Sequence, residues 1–530
     1  MRTRLARFKN KDTRRMFGLL LGGKMLGILV MLGAMKLIAG YFGSPASAST
    51  VAKAAQETDS LINPLNTVWV LVTAFLVFFM QAGFMALEAG FARSRETVNV
   101  LLECVVDTCL CGLLYWAVGF AFHFGVGNGF IGHQYFFLSG APETYGSTGV
   151  AFMAFFLFQF AFADTCSTIT SGAMVGRTGF KGDLIYSVIV SGFIYPIFGH
   201  WVWGPGGWLG NMTPDFLNSM THGAVFRDFA GSTVVHTVGG MVALWGAIAL
   251  GPRLGRKFKR DGGGPLPPHD LTIGAIGAVI LWFGWYGFNP GSTLSALDFA
   301  GMGRVATNTT LAACAGGLVA MAWVYPRSKK WDLGMTCNGL LGGLVAVTAP
   351  CYWISTWGAV LIGSVAGILV PLGIDLLEHL RIDDPIGAVP VHGFVGIWGT
   401  LSIGLFANGK FGLPVPSGAD TTTVVKGLFY GGGTDQLVAQ LIGSVTAVVV
   451  VSAVSIIMFR AVKATRTLRV GKDGELEGID VHEHGIRAYH MEFGQGVSYS
   501  TLLGAPKVFG GDGETSSTKT PERVGDGAGS

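Results

Sequence analysis

Long apolar runs separated by short polar stretches dominate the chain from residue 66 to residue 462. Eleven such runs occupy residues 66–88, 104–125, 150–172, 184–203, 229–250, 272–289, 303–325, 334–350, 356–378, 389–407 and 435–460. Most approach the roughly 20 residues that a helix needs to cross the hydrocarbon core of a bilayer. The pattern predicts an all-α integral membrane fold of 11 transmembrane helices. The polar stretches alternate in basic content. Arg93 and Arg95, Arg177 and Lys181, the cluster from Arg253 to Arg260, Arg327 to Lys330, Arg381, and Arg460 to Arg469 fall on one side, while the loops between them hold little beyond Arg227, Lys410 and Lys426. The basic side is cytoplasmic by the positive-inside rule. A miscount by one helix would scramble this alternation, so helix number and orientation support each other.

The ends read differently. Residues 1–48 carry Arg2, Arg4, Arg7, Lys9, Lys11, Arg14 and Arg15, then an apolar run, then Ala46-Ser47-Ala48, which is the order of a secretory signal peptide. Its length and the interruptions at Lys24 and Lys36 leave an uncleaved additional helix as the alternative. Either way the next helix starts outside. Residues 49–65 are then an extracellular or periplasmic segment, 66–462 the membrane domain, 463–493 a cytoplasmic C-terminal region, and 494–530, rich in Gly, Ser and Thr, a disordered tail.

Composition sharpens the class. Half of the 530 residues are hydrophobic and only 13% are charged, against about a quarter charged in soluble domains. The 81 glycines suit membrane helices whose backbones approach closely. The net charge of +4 is spread over the loops, so no nucleic-acid partner is expected. The seven cysteines are odd in number and lack a CxxC pair, and they read as helix-packing residues. Cys109 and Cys111 stand two apart and point to different helix faces, so no metal clip is expected there.

A repeat lies inside the membrane portion. The fifth run holds Asp228, then His236 eight residues later, then Gly240; the tenth holds Asp384, His392 and Gly396 at the same offsets, with Val before each histidine. A unit of five helices inverts its second copy, which gives two inverted five-helix repeats plus a final helix, with a path at their interface. An ionisable side chain at membrane depth is a functional hypothesis by default. Symmetry would bring His236 and His392 to equal depth, where two neutral imidazoles can share one proton. The alternatives are core histidines satisfied by backbone carbonyls, or a bis-histidine clamp on a haem, which would make the chain an electron carrier. Glycines beside each histidine allow close helix contact or a flat ligand equally. Asp228 suits a helix-capping carboxylate, or else a charge that stabilises a cation at the outer mouth; Asp384 is its counterpart and another cap.

Four stretches, Asp228-Phe-Ala-Gly-Ser-Thr-Val-Val-His236, Trp285-Tyr-Gly-Phe288-Asn-Pro-Gly-Ser292, Val391-His-Gly-Phe-Val-Gly-Ile-Trp398 and Gly427-Leu-Phe-Tyr-Gly-Gly-Gly433, resemble the ammonium transporter (Amt) family in order and spacing from about residue 66 to 492. The resemblance implies a transporter in the cell (inner) membrane, not an enzyme, without cofactor or metal. It implies an outer ammonium site at Trp203, Ser292, Phe162 and Asp228, a gate at Phe162 and Phe288, and the histidine pair His236 and His392 in an apolar pore that conducts ammonia. Proton relay through that pair would make transport electrogenic, whereas without it the pore is an electroneutral gas channel; an ammonium sensor is a further reading. Trp203 sets the chain apart from Rhesus-type relatives. The resemblance also implies a homotrimer, and it places Asn99, Asn289 and Asn338 in capping or packing roles. Gly478-Ile-Asp-Val-His-Glu-His484 resembles the family's regulatory tail, with His482 where plant relatives carry a phosphorylatable threonine, and suggests a PII-type signalling protein as cytoplasmic partner. A metal clip from His482, Glu483 and His484 is the minor alternative there.

Overall fold

A computed structural model describes residues 55–489 apart from 416, 417, 420 and 422. The expected signal segment and the 494–530 tail lie outside the described residues. Part of the expected 49–65 segment is instead helical, because the first helix already begins at Ala55.

Each predicted run is a helix: α1 (Leu61–Phe91), α2 (Thr97–Phe124), α3 (Phe152–Gly172), α4 (Phe180–Asn211), α5 (Ser232–Leu250), α6 (Leu271–Gly291), α7 (Phe299–Ser328), α8 (Leu333–Thr348), α9 (Thr356–Leu380), α10 (Val389–Phe406) and α11 (Asp435–Ala464). Ten of them are long and apolar enough to span a membrane, and α8, at 16 residues, is shorter. Twelve of the 16 residues of α8 are buried, and it packs against α6, α7, α9 and α10. A helix enclosed by protein need not match the thickness of the lipid. Side chains also cap the helix starts: Asp270, Asp298, Asp332 and Ser355 each accept backbone N–H groups at the heads of α6 to α9, which satisfies donors that would otherwise be orphaned.

The two repeats meet along α5 and α10. A Cβ added at Gly240 would stand 2.3 Å from the Gly393 nitrogen, so only glycine allows these backbones their distance. Each repeat helix opens with the same device. Asp228 Oδ1 accepts from Gly231 and Ser232 N–H, and Oδ2 from Thr233 and Val234 N–H, at 2.8–3.0 Å. Asp384 Oδ1 accepts from Gly387 and Ala388, and Oδ2 from Val389, at 2.8–3.1 Å. Gly231 (φ 116°) and Gly387 (φ 83°), each three residues after the aspartate, turn the chain through the left-handed region that glycine tolerates best. Both caps expected from the repeat are therefore present. Each helix then runs through a π-helical turn, Ser232–Thr237 and Val389–Phe394, and each turn carries one histidine.

The face opposite Trp203 is closed by ion pairs. Asp383 receives Arg253 through Nε and a terminal nitrogen, both at 2.9 Å, and Arg256 Nε at 3.3 Å. The C-terminal helices α12 (Lys472–Glu477) and α13 (Ile479–His484) lie on this same face. Glu475 accepts from Arg469 Nε at 2.7 Å and from Leu254 N–H at 2.9 Å, while Asp480 accepts from Asn99 N–H at 2.9 Å. His484 Nε2 lies 2.8 Å from Asn99 Oδ1. Asn99 thus anchors the C-terminal region, and Asn338, donating to the Ile386 carbonyl at 3.0 Å, and Asn289, donating to Thr309 at 2.9 Å, pack helices together. Five cysteines are buried as expected, but Cys109 and Cys314 are exposed. They stand on outward helix faces, where a small apolar thiol costs nothing against lipid.

Burial alone would push the Asp383 carboxyl up, but Arg253 and Arg177 hold it well below the usual carboxylate range. A depressed value means that the pair stabilises the fold fully above about pH 4 and loses that contribution as pH falls. Asp383→Asn should cost about 3–5 kcal/mol at pH 7, because it strands Arg253. The thermal midpoint of the detergent-solubilised protein should drop accordingly, and its gap to the parent should narrow toward pH 3.

Candidate functional site

Trp203 closes the Tyr195–Trp203 portion of α4, and its indole is fixed on three sides. Its Nε1–H donates to the Asp228 carbonyl at 2.7 Å. One face stacks on His123 (ring centroids 6.0 Å, planes 11° apart), and Phe162 meets it edge-on at 6.2 Å. His123 is in turn held at Nδ1 by the Tyr115 hydroxyl at 3.0 Å. Trp203, Phe162, Asp228 and Ser292 all line one vestibule of about 490 Å³, so the four residues expected at the outer site do come together. Ser292 donates its hydroxyl hydrogen to the Phe288 carbonyl at 2.8 Å, which leaves the oxygen lone pairs to accept from a guest. Asp228 behaves differently from the other three. Burial pushes its carboxyl up, four backbone N–H groups pull it back, and both oxygens are occupied by the start of α5. Its contribution to the mouth is thus to hold Trp203 through its carbonyl and α5 through its side chain.

Below the vestibule the aromatic rings form a column. Phe162 and Phe288 stack with centroids 4.0 Å apart and planes at 21°. His236 lies beyond Phe288 at 5.5 Å and stacks on Trp285 at 5.2 Å. The indole of Trp285 is pinned by its donation to Thr348 at 2.8 Å. The two imidazoles then meet: His236 Nδ1 is 3.1 Å from His392 Nδ1, with ring centroids 5.2 Å apart. Only one of these nitrogens can carry the hydrogen between them, so one ring donates and the other accepts. His236 is fully buried, and its Nε2 has no hydrogen-bond partner among the described residues, which leaves a polar atom for a guest.

Sequence reasoning did not assign two groups that the structure brings into play. Trp285 stands three residues before Phe288, a spacing that puts both on one helix face, and that spacing was the available signal. Glu88, Glu103, Asp107, Asp164 and Asp183 are all buried. Glu88, Asp107 and Asp164 lie within apolar runs and Glu103 and Asp183 each lie one residue before one, and the depth rule that singles out the histidines applies to them equally. Beyond the histidine pair a small cavity of about 20 Å³ is lined by His392, Glu88 and Asn338 among apolar side chains, room for about one water.

Comparison with known proteins gives one consistent result. The family model described as Ammonium Transporter Family matches residues 68–489. Ammonium transporter Amt2 of Archaeoglobus fulgidus is 41% identical over 472 residues, covering 89% of this chain and 96% of the relative. Putative ammonium transporter sll1017 of Synechocystis is 41% identical over 446 residues, covering 82% of this chain and 92% of its own length. A solved structure described as Sensor Amt Protein superposes with a TM-score of 0.71 at 33% identity, over 80% of this chain and all of that one.

The contact between the histidine rings rests on the glycines beneath it. Gly240→Ala should drive α5 away from α10 at a cost of about 1–3 kcal/mol. The expected outcome is a lower thermal midpoint and an Nδ1–Nδ1 separation longer than in the parent, read from an experimental structure of the variant.

Proposed function

The chain belongs to the ammonium transporter family, and we propose that it recruits ammonium at Trp203, strips it of a proton at the phenyl pair, and conducts ammonia past His236 and His392 while the proton follows by relay through that pair. The observation that carries this reading is the 3.1 Å contact between two buried imidazoles directly below two stacked phenyl rings. Cation–π attraction to a desolvated tryptophan is worth about 2 kcal/mol, and the Ser292 oxygen can accept an N–H from the same ion. Below that point the tube offers rings and the imidazole nitrogens outside the Nδ1–Nδ1 contact. Carrying a bare ion into a low-dielectric medium costs on the order of 20 kcal/mol by the Born estimate, whereas a small neutral polar molecule costs a few. An amine-type pKa near 10.4 falls by about 3–5 units on such burial, so ammonium can release its proton at the gate near neutral pH. Potassium and sodium have no proton to release and stop at the mouth.

Relay rather than simple solvation of ammonia is favoured by the direct imidazole contact, since donor-to-acceptor chains of titratable groups suit proton hopping. The haem-clamp reading finds no support in this geometry, for nitrogens 3.1 Å apart leave no gap for a macrocycle. In this proposal the vestibule faces outward, and the face carrying α12 and α13 is cytoplasmic. The 1–48 segment acts as a signal peptide in front of an outer 49–65 segment, and the 463–493 region is regulatory. The chains assemble as homotrimers in the cell membrane, and a PII-type protein docks on the cytoplasmic face.

Two measurements test the mechanism. Ammonium pulses on reconstituted bilayers should evoke current from the parent and none from His236→Ala; a parent without current ends the relay and leaves an electroneutral ammonia channel. Trp203→Leu should raise the half-saturating ammonium concentration about thirtyfold, the equivalent of about 2 kcal/mol of lost cation–π binding.

A further inference from the structure

Glu88 is a carboxyl group that opens into the pore. It sits on α1, 1% exposed, and lines the cavity of about 20 Å³ that His392 and Asn338 also line, on the far side of the histidine pair from Trp203. The Ser171 hydroxyl lies 3.0 and 3.2 Å from its two oxygens. Among the described residues no lysine, arginine or histidine forms an ion pair with it. The polar surroundings on its other side are acidic and hydroxylic. Asp107 accepts from Ser167 at 2.7 Å and from Thr168 at 3.3 Å, Asp183 accepts from Tyr186, and Glu103 accepts from Asn99 at 2.9 Å. The pocket formed by Glu103, Asp107 and Asp183 has no space for water, whereas the cavity shared by Glu88 and His392 has room for about one. Glu88 is therefore the member of this acidic group that meets the conduction path.

We propose that Glu88 is the proton acceptor at the inner end of the pore, taking the proton that leaves the histidine pair and returning it to ammonia on the C-terminal side. The step deepens the relay reading and rests on it. In the first half, the N–H bond of a protonated His392 breaks and an O–H bond forms on the Glu88 carboxylate, through one bridging water, which leaves neutral imidazole. In the second half, that O–H bond breaks as ammonia takes the proton, and ammonium and the carboxylate result. One ammonium has then crossed for each cycle, and both side chains are back in their starting states. Proton uptake by Glu88 removes a buried charge that, among the described residues, meets only the Ser171 hydroxyl, whose hydrogen the Thr168 carbonyl at 2.8 Å also attracts, and release restores it when a base arrives.

The test measures charge carried per ammonia moved, combining ammonium-evoked current with ammonia flux in the same proteoliposomes. Glu88→Gln keeps the shape and the Ser171 contact but cannot take up and return a proton, so this ratio should fall about tenfold or more, in line with the weight of a positioned proton-transfer group. Glu88→Asp should restore much of it. Asp164→Asn is the control: Asp164 is equally buried but does not line the cavity, and its ratio should match the parent. In the parent itself, ammonium should alter the infrared carbonyl band of a protonated carboxyl group, a readout that needs no variant to fold. A parent that carries current while Glu88→Gln keeps its ratio overturns the Glu88 step alone, as does an equal loss in Asp164→Asn or an unchanged carboxyl band. A parent that carries no current overturns the relay and the Glu88 step together.

Discussion

The proposed pore is arranged around one contact, the approach of two buried imidazoles to hydrogen-bonding distance. That approach is a backbone property before it is a side-chain one. Gly240 and Gly393 let α5 and α10 touch, the Asp228 and Asp384 caps fix where each helix begins, and a π-helical turn in each directs a histidine inward. The same elements recur in both halves at the same offsets, so the inverted repeat supplies two half-sites and the contact completes them. Burying an ionisable ring is costly unless its nitrogens are satisfied, and here each ring satisfies the other on one side.

In the proposed mechanism the mouth and the tube work by opposite physics. In the vestibule, Trp203 and Ser292 would favour a charged guest, and space of about 490 Å³ would keep water at hand. One ring stack further in, Phe162 and Phe288 close the passage, and a charge loses its solvent without gaining a counter-ion. On this proposal selectivity follows from where charge can be shed rather than from a size-matched cage. Trp203 is held through the Asp228 carbonyl and against His123, so the recruiting face is preorganised and little ordering remains when a cation arrives.

Much of this was legible in the chain. Helix number and the histidine pair followed from apolar runs of spanning length and from the Asp–His–Gly offsets at 228 and 384, because both signals are spacings and spacings survive folding. Side-chain orientation was harder. An apolar run that is hydrophobic all round does not say which face meets protein and which meets lipid, so Cys109 and Cys314 looked like packing residues and proved to be exposed. Asp228 could be read as a cap or as a cation partner, and the choice lay in where four N–H groups point. The carboxyls at Glu88, Asp107 and Asp164 are visible in the sequence as charges within greasy runs, but their gathering with Glu103 and Asp183 depends on how α1 to α4 pack, which no local pattern records.

The burial of α8 carries a consequence for the lipid environment. A helix that bilayer chains do not touch is insulated from hydrophobic mismatch, whereas a peripheral helix such as α11 answers a thinner or thicker membrane by tilting. Because α8 braces α5 through the hydroxyl of Ser232, which donates to the Val345 carbonyl at 2.7 Å, the histidine-bearing turn takes its position from an element of protein-determined length. Changes in membrane thickness should therefore be absorbed at the rim of the protein, and the geometry along its axis should stay as it is in bilayers of different composition.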